Sequence, residues 1–227
     1  MKEEIKIKTH RGACQIGGTC IELSYGKSRI LLDLGLPLYD KNFKDLPDGI
    51  LDGRDPRRPA DIAALKEQDI LPDVKGLYQD EAPGFDAILI SHSHGDHYGL
   101  VHFANPAIPL VMSEGARRMI ETLNSFLPKK VPLGNVIPAV SGAHLQIGAF
   151  EVIPYFMDHS AFDARGFFVK VKETGETLFY SGDFRSGGSK SAAFERLVQN
   201  PPIKNVDHLL MEGTNIGRPE VEYKTEA

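Results

Sequence analysis

Apolar and polar positions alternate along "EIKIKTH" at the two-residue period of a half-buried strand. "TCIELSYG" and "SRILLDLG" predict the next two strands, joined at the glycine-containing turn "YGKS". The pattern then breaks. Residues 37–60 are rich in Pro, Gly and Asp, as expected of a surface loop, and "ADIAALKEQ" predicts a short helix. "FDAILIS" is a continuous apolar run, consistent with a strand buried on both faces; "PLVMS" predicts another. "SEGARRMIETLNSFL" predicts a helix capped by Ser113. Four strand-like runs follow, "VIPAV", "FEVIPYF", "GFFVKVKE" and "ETLFYSGD", then a helix at "KSAAFERLVQ" and a last strand at "VDHLLMEG". No repeat or low-complexity segment interrupts them. Strands alternate with helices, but hairpins such as "FFVKVKETGETLFYSG" lie among them, which predicts mixed α and β structure in layers.

Composition narrows the possibilities. With 227 residues, 41% of them hydrophobic, the chain can build one sizeable core, or one large domain with an extension. Lys and Arg number 26 against 31 Asp and Glu, a formal net charge of -5. Such a chain is not a general nucleic-acid glue, so contact with a polyanion must come from a local patch or from metal ions. No apolar run is long enough to span a membrane, and the start, "MKEEIKIKTHRGA", lacks the apolar core of a secretory signal. The two cysteines, Cys14 and Cys20, are too few for a disulfide framework and read as thiols in a reducing compartment, so a cytoplasmic location is expected. "GACQIGGT" and "RSGGSKS" do not satisfy the phosphate-loop pattern, and no Gly-x-Ser-x-Gly elbow supports a serine hydrolase. Without tryptophan, and with 8% aromatics, no stacking platform for single strands is visible.

The candidate chemistry lies in "SHSHGDHYG", where three of the eight histidines occupy six positions. His92 and His94 are two apart at the exit of the predicted strand, so in extended backbone both imidazoles can reach one ion. Past Gly95 the chain can turn and present Asp96 and His97 on another side, dividing the ligands between two neighbouring ions. Imidazole with carboxylate suits zinc, and the absence of thiolates leaves room for manganese.

H-x-H-x-D-H resembles the signature of the metallo-β-lactamase superfamily, and further stretches match that family in order from about residue 10 to 217. "LLDLG" resembles its first motif, "FMDHSAFDA" offers His159 for its isolated histidine, and "YSGDFR" offers Asp183 for its bridging carboxylate. The resemblance implies an αββα sandwich and two divalent metal ions, zinc foremost. The first would be held by His92, His94, His159 and Asp183, and the second by Asp96, His97 and Asp183. Asp33 would brace the histidine loop, and Asp96 could accept a hydrogen bond from a hydroxide held between the ions. The family's last histidine ligand has no clear counterpart: His208 lies inside an apolar run and reads as structural. Ser160 and Asp163 flank His159 as pocket walls, and Arg185 lies where a phosphate could meet it.

"LLMEGTNIGR" resembles the β-CASP branch, whose members include ribonuclease J and the messenger-RNA 3′-end endonuclease, with Glu212 in that branch's first own motif. The resemblance implies a catalytic domain over residues 1–215, incomplete at its C-terminal end, and the start of a linker or inserted domain over 216–227. It implies phosphodiester hydrolysis of nucleic acid, RNA before DNA. Two other readings stay open: a hydrolase of thioesters, lactones or small phosphoesters, suggested by the acidic charge, and a non-catalytic binding module, suggested by the missing distal histidine.

Overall fold

The computed structural model describes residues 3–40, 42–126, 130–188 and 190–216. The predicted linker, apart from its first residue, lies outside them.

Three antiparallel strands open the chain: β1 (Lys6–Arg11), β2 (Cys20–Tyr25) and β3 (Ser28–Leu32). The β2–β3 turn is tight because Tyr25 pairs with Ser28 and leaves two residues between them, the first being Gly26 at φ 58°. β4 (Ala87–Leu89), β5 (Leu110–Met112) and β6 (Val136–Pro138) then add in parallel, giving a six-stranded sheet in the order β1-β2-β3-β4-β5-β6. Helices α1 (Pro59–Glu67), α2 (Gly95–Tyr98) and α3 (Glu114–Phe126) occur in this half of the chain, with a single 3-10 turn at Val101–Phe103. Ser113 caps α3 as expected, its hydroxyl accepting from the Ala116 amide at 3.1 Å.

The second sheet is a meander, β7 (Leu145–Ile147), β8 (Phe150–Phe156), β9 (Arg165–Val171) and β10 (Thr177–Tyr180), to which β11 (His208–Leu210) adds in parallel after helix α4 (Ser191–Gln199).

Side-chain alternation sorts the strands into layers. Ile30, Leu32, Leu89 and Val111 of the first sheet pack against Phe150, Val152, Phe167, Val169 and Leu178 of the second, forming a central core. The opposite face of the first sheet, with Leu31, Ile88 and Met112, packs on Ile62 and Leu65 of α1 and Ile120 of α3. Phe168 and Phe179 point outward from the second sheet to meet Leu197 of α4. The result is the predicted αββα sandwich.

Besides the 3-10 turn, one strand and one helix went unpredicted. β7 is only three residues long, too short to show a period, and α2 is a single helical turn inside the histidine cluster.

Candidate metal centre

The histidine cluster lies in the loop that leaves β4. His94 is still extended (φ -84°, ψ 141°), and the chain then coils into α2, which carries Asp96 and His97 round to another side. The segment leaving β3 straps this loop down: the amides of Leu34 and Leu36 donate to the carbonyls of His97 and Gly95 at 2.9 and 3.0 Å, and Gly35 donates to Thr19 at 3.0 Å. Only glycine fits at position 35, since a Cβ there would overlap the Asp96 carbonyl.

Asp33, fully buried and at φ 58°, lies directly behind the cluster. Its Oδ1 accepts from the Ser91 amide at 2.7 Å, while Oδ2 meets the Ser91 hydroxyl at 2.7 Å, the Tyr180 hydroxyl at 2.6 Å and His97 Nδ1 at 2.8 Å. Holding Nδ1 leaves His97 Nε2 facing forward, 3.4 Å from Asp183 Oδ1 and 3.8 Å from Asp96 Oδ2. The Ser91 hydroxyl likewise lies 3.0 Å from His92 Nδ1, directing His92 Nε2 outward.

There His92 Nε2 stands 3.1 Å from His94 Nδ1, which is 3.2 Å from His159 Nε2. His159 arrives from the loop between β8 and β9. Two groups therefore form, His92–His94–His159 and His92–His97–Asp183, sharing His92, with the ligand atoms of each within 4.8 Å of one another.

The residues fit a divalent cation. Three imidazole nitrogens converge with no carboxylate among them, and their spacing is close to the separation of about 3.3 Å between neighbouring nitrogens of a tetrahedral site with bonds of about 2.0–2.1 Å. The electrostatics agree. Burial, together with the neighbouring imidazoles, holds His92 well below its ordinary pKa, and burial likewise lowers His159, so both favour the neutral form that binds metal. Burial also opposes charge on His97, but Asp33 and Asp183 outweigh it and raise its pKa to about 10. Burial disfavours the Asp183 carboxylate, yet contact with His97 lowers its pKa on balance. A negative field of this kind draws a cation.

The other predicted residues are more dispersed. Asp183 falls beside His97 and His92, outside the three-imidazole group, and Asp96 lies at the edge of the second group. Glu212 follows β11, and its Oε1 accepts from the Phe184 amide at 2.8 Å, next to Asp183. Ser160 is exposed, and the Arg185 amide donates to the Asp158 carbonyl at 2.7 Å. His208 lies away from both groups, its Nε2 2.7 Å from Glu176 Oε1, at the opposite end of β11 from Glu212.

Ser91 and Tyr180 open the stretches "SHSHGDHYG" and "YSGDFR", but neither was assigned a part in the site. The signal for Tyr180 was faint: a tyrosine in the apolar run "TLFY" must find a partner for its hydroxyl.

A cleft of about 640 Å³ opens beside the second group, with His97, Asp183 and Glu212 among its lining residues and Ile16, Leu209, Met211 and Ile216 on its walls. Among the described residues that line it there is no lysine or arginine.

The sequence pattern of the beta-lactamase superfamily domain matches residues 62–218. A protein of unknown function from Enterococcus faecalis is similar in structure, with 24% identity and a TM-score of 0.78 over 98% of this chain and 53% of that one. This chain thus spans about half the length of that protein. BJP-1, a subclass B3 metallo-β-lactamase of Bradyrhizobium japonicum, is similar with 15% identity and a TM-score of 0.50 over 86% of this chain and 71% of that one. A HARLDQ-motif mutant metallo-β-lactamase of Cronobacter sakazakii shows 16% identity and a TM-score of 0.50 over the same shares. These likenesses show the metallo-β-lactamase fold. No match among curated proteins is found.

Proposed function

The chain belongs to the beta-lactamase superfamily, and from that premise we propose that it is a metal-dependent hydrolase whose centre holds two divalent ions, zinc foremost. The observation that carries this reading is the convergence of His92 Nε2, His94 Nδ1 and His159 Nε2 beside a second group at His97 and Asp183. Divalent ions bound there supply Lewis acidity and a nucleophile at neutral pH. The protein's part is to orient the ligands. Asp33 fixes the His97 ring, Ser91 turns His92, and Asp183 links the end of the second sheet to the histidine loop of the first. Asp96, whose Oδ2 lies 3.8 Å from His97 Nε2 and outside both groups, would accept a proton from the attacking nucleophile.

The proposed substrate is the phosphodiester backbone of nucleic acid, RNA before DNA. Glu212 supports it: the residue that resembles the first β-CASP motif lies in the cleft and binds the amide that follows Asp183. One observation favours a second reading, hydrolysis of an uncharged thioester or lactone. Apolar side chains share the cleft walls with polar ones, and no lysine or arginine is among the described lining residues, whereas polyanion binding normally draws on lysine and arginine.

Elemental analysis of protein purified without chelator or added metal tests the first claim, with two equivalents per chain expected. Full-length metal-loaded protein should then cut RNA. A protein that turns over a thioester or lactone and leaves every RNA and DNA intact would establish the second reading instead.

A further inference from the structure

The loop that delivers His159 is closed at its neck by the Met157 amide donating to the Ala164 carbonyl at 3.0 Å. Near its end Asp163 adopts φ 61°, the left-handed region that glycine, asparagine and aspartate enter more readily than other residues. Three tethers hold Asp163 there. Its Oδ2 accepts from the Gly115 amide in the first turn of α3 at 3.1 Å, its carbonyl accepts from the Ser113 hydroxyl at 2.7 Å, and its Oδ1 pairs with Arg165 at 2.7 Å.

Arg165 is itself fixed. Its Nε donates to the Ala139 carbonyl at 2.9 Å, and its backbone amide donates to the Ser91 carbonyl at 2.8 Å, one residue before His92. A Cβ on Gly115 would overlap the Asp163 side chain, so this docking depends on a glycine in a helix, where glycine is otherwise unfavourable.

We propose that Asp163, docked on Gly115 and paired with Arg165, is a positioning residue that holds His159 in register with His92 and His94. The clamp connects the two sheets through the places where their ligands emerge, and it uses no atom that would touch a metal. It is part of what sets metal affinity at the three-imidazole site. This inference rests on the reading of that site as a metal centre.

The test is competition between the full-length protein and a chromogenic chelator for Zn²⁺ and Co²⁺, with the visible spectrum of the Co²⁺ form as a second readout. Asp163→Gly suits the positive φ and removes the side-chain tethers, so the chain should fold and bind about 10–100-fold more weakly, as is typical when a group supporting a ligand is lost. Gly115→Ala raises helix propensity but displaces Asp163, and should weaken binding in the same direction with an altered Co²⁺ spectrum. Asp163→Asn tolerates the same backbone and can still accept from Gly115, so it should recover part of the loss. Asp207→Ala breaks a contact with Thr177 at the far end of the second sheet and controls for stability alone; its affinity should match wild type.

Should His159→Ala weaken binding while Asp163→Gly and Gly115→Ala both bind as wild type, the clamp is overturned and the metal centre stands. Should His159→Ala bind as tightly as wild type, the metal centre itself is overturned, and the clamp with it.

Discussion

At the scale of single residues the most consequential position is Asp33. It is a buried carboxylate engaged by two side-chain hydroxyls, one imidazole and one backbone amide. Asp33→Ala would strand the Tyr180 hydroxyl, the Ser91 amide and the His97 ring together. Breaking a buried charged network in this way costs about 3–5 kcal/mol, and urea unfolding of the metal-free protein should show it. Tyr180→Phe removes a single bond to the carboxylate and should cost about 1.5–3 kcal/mol in the same assay. If Asp33→Ala costs no more than Tyr180→Phe, the network is not the brace described. The local sequence pointed to Asp33 as a carboxylate at a strand end. Nothing near it in sequence indicated Tyr180, 147 residues away.

At the scale of elements, two features govern how the strands present the site. Gly35 lets the strap after β3 lie against the histidine loop. Gly35→Ala should therefore lower both stability and metal content, whereas Gly134→Ala, whose Cβ would meet only the Pro106 carbonyl at 3.8 Å, should leave metal content unchanged; elemental analysis of both variants distinguishes them. Across β1, β2 and β3, Glu22 accepts from His10 at 2.9 Å and Arg29 at 2.8 Å, contacts that lower its pKa from 4.5 to about 2. A carboxylate depressed in the folded state contributes stability that is full above its unfolded pKa and lost as pH falls toward the folded one. That contribution is present above pH 4.5 and disappears toward about pH 2. Glu22→Gln should flatten this part of the profile, and a variant with the wild-type acid slope would contradict it.

At the scale of the whole molecule, the two sheets form one core, and ligands leave both of them at the same edge. Phe167, fully buried between the sheets, holds that alignment. Phe167→Ala should cost about 3–5 kcal/mol, measured by urea unfolding. Metal should stabilise the folded state by mass action, about 2.7 kcal/mol at a free concentration 100 times Kd, so chelator should lower Tm in wild type. His92 is shared by both ligand groups. His92→Ala should abolish that chelator effect, whereas Asp183→Asn should reduce it only in part.

The sequence by itself determined the strand and helix periods, the Ser113 cap and the crowding of His92, His94, Asp96 and His97, because these are written in neighbouring residues. Only the tertiary structure decided that Asp183 faces His97, that Asp33 orients the same ring from behind, and that Asp163 ties the His159 loop to α3. The physical reason is separation along the chain. A periodic pattern reports which face of a strand is buried, but the contacts among Asp33, His97, His159 and Asp183 join loops at the ends of different strands. Their meeting depends on how two sheets stack, and sheet packing is set by the summed shape of apolar side chains such as Phe150, Phe167 and Val169 rather than by any local motif.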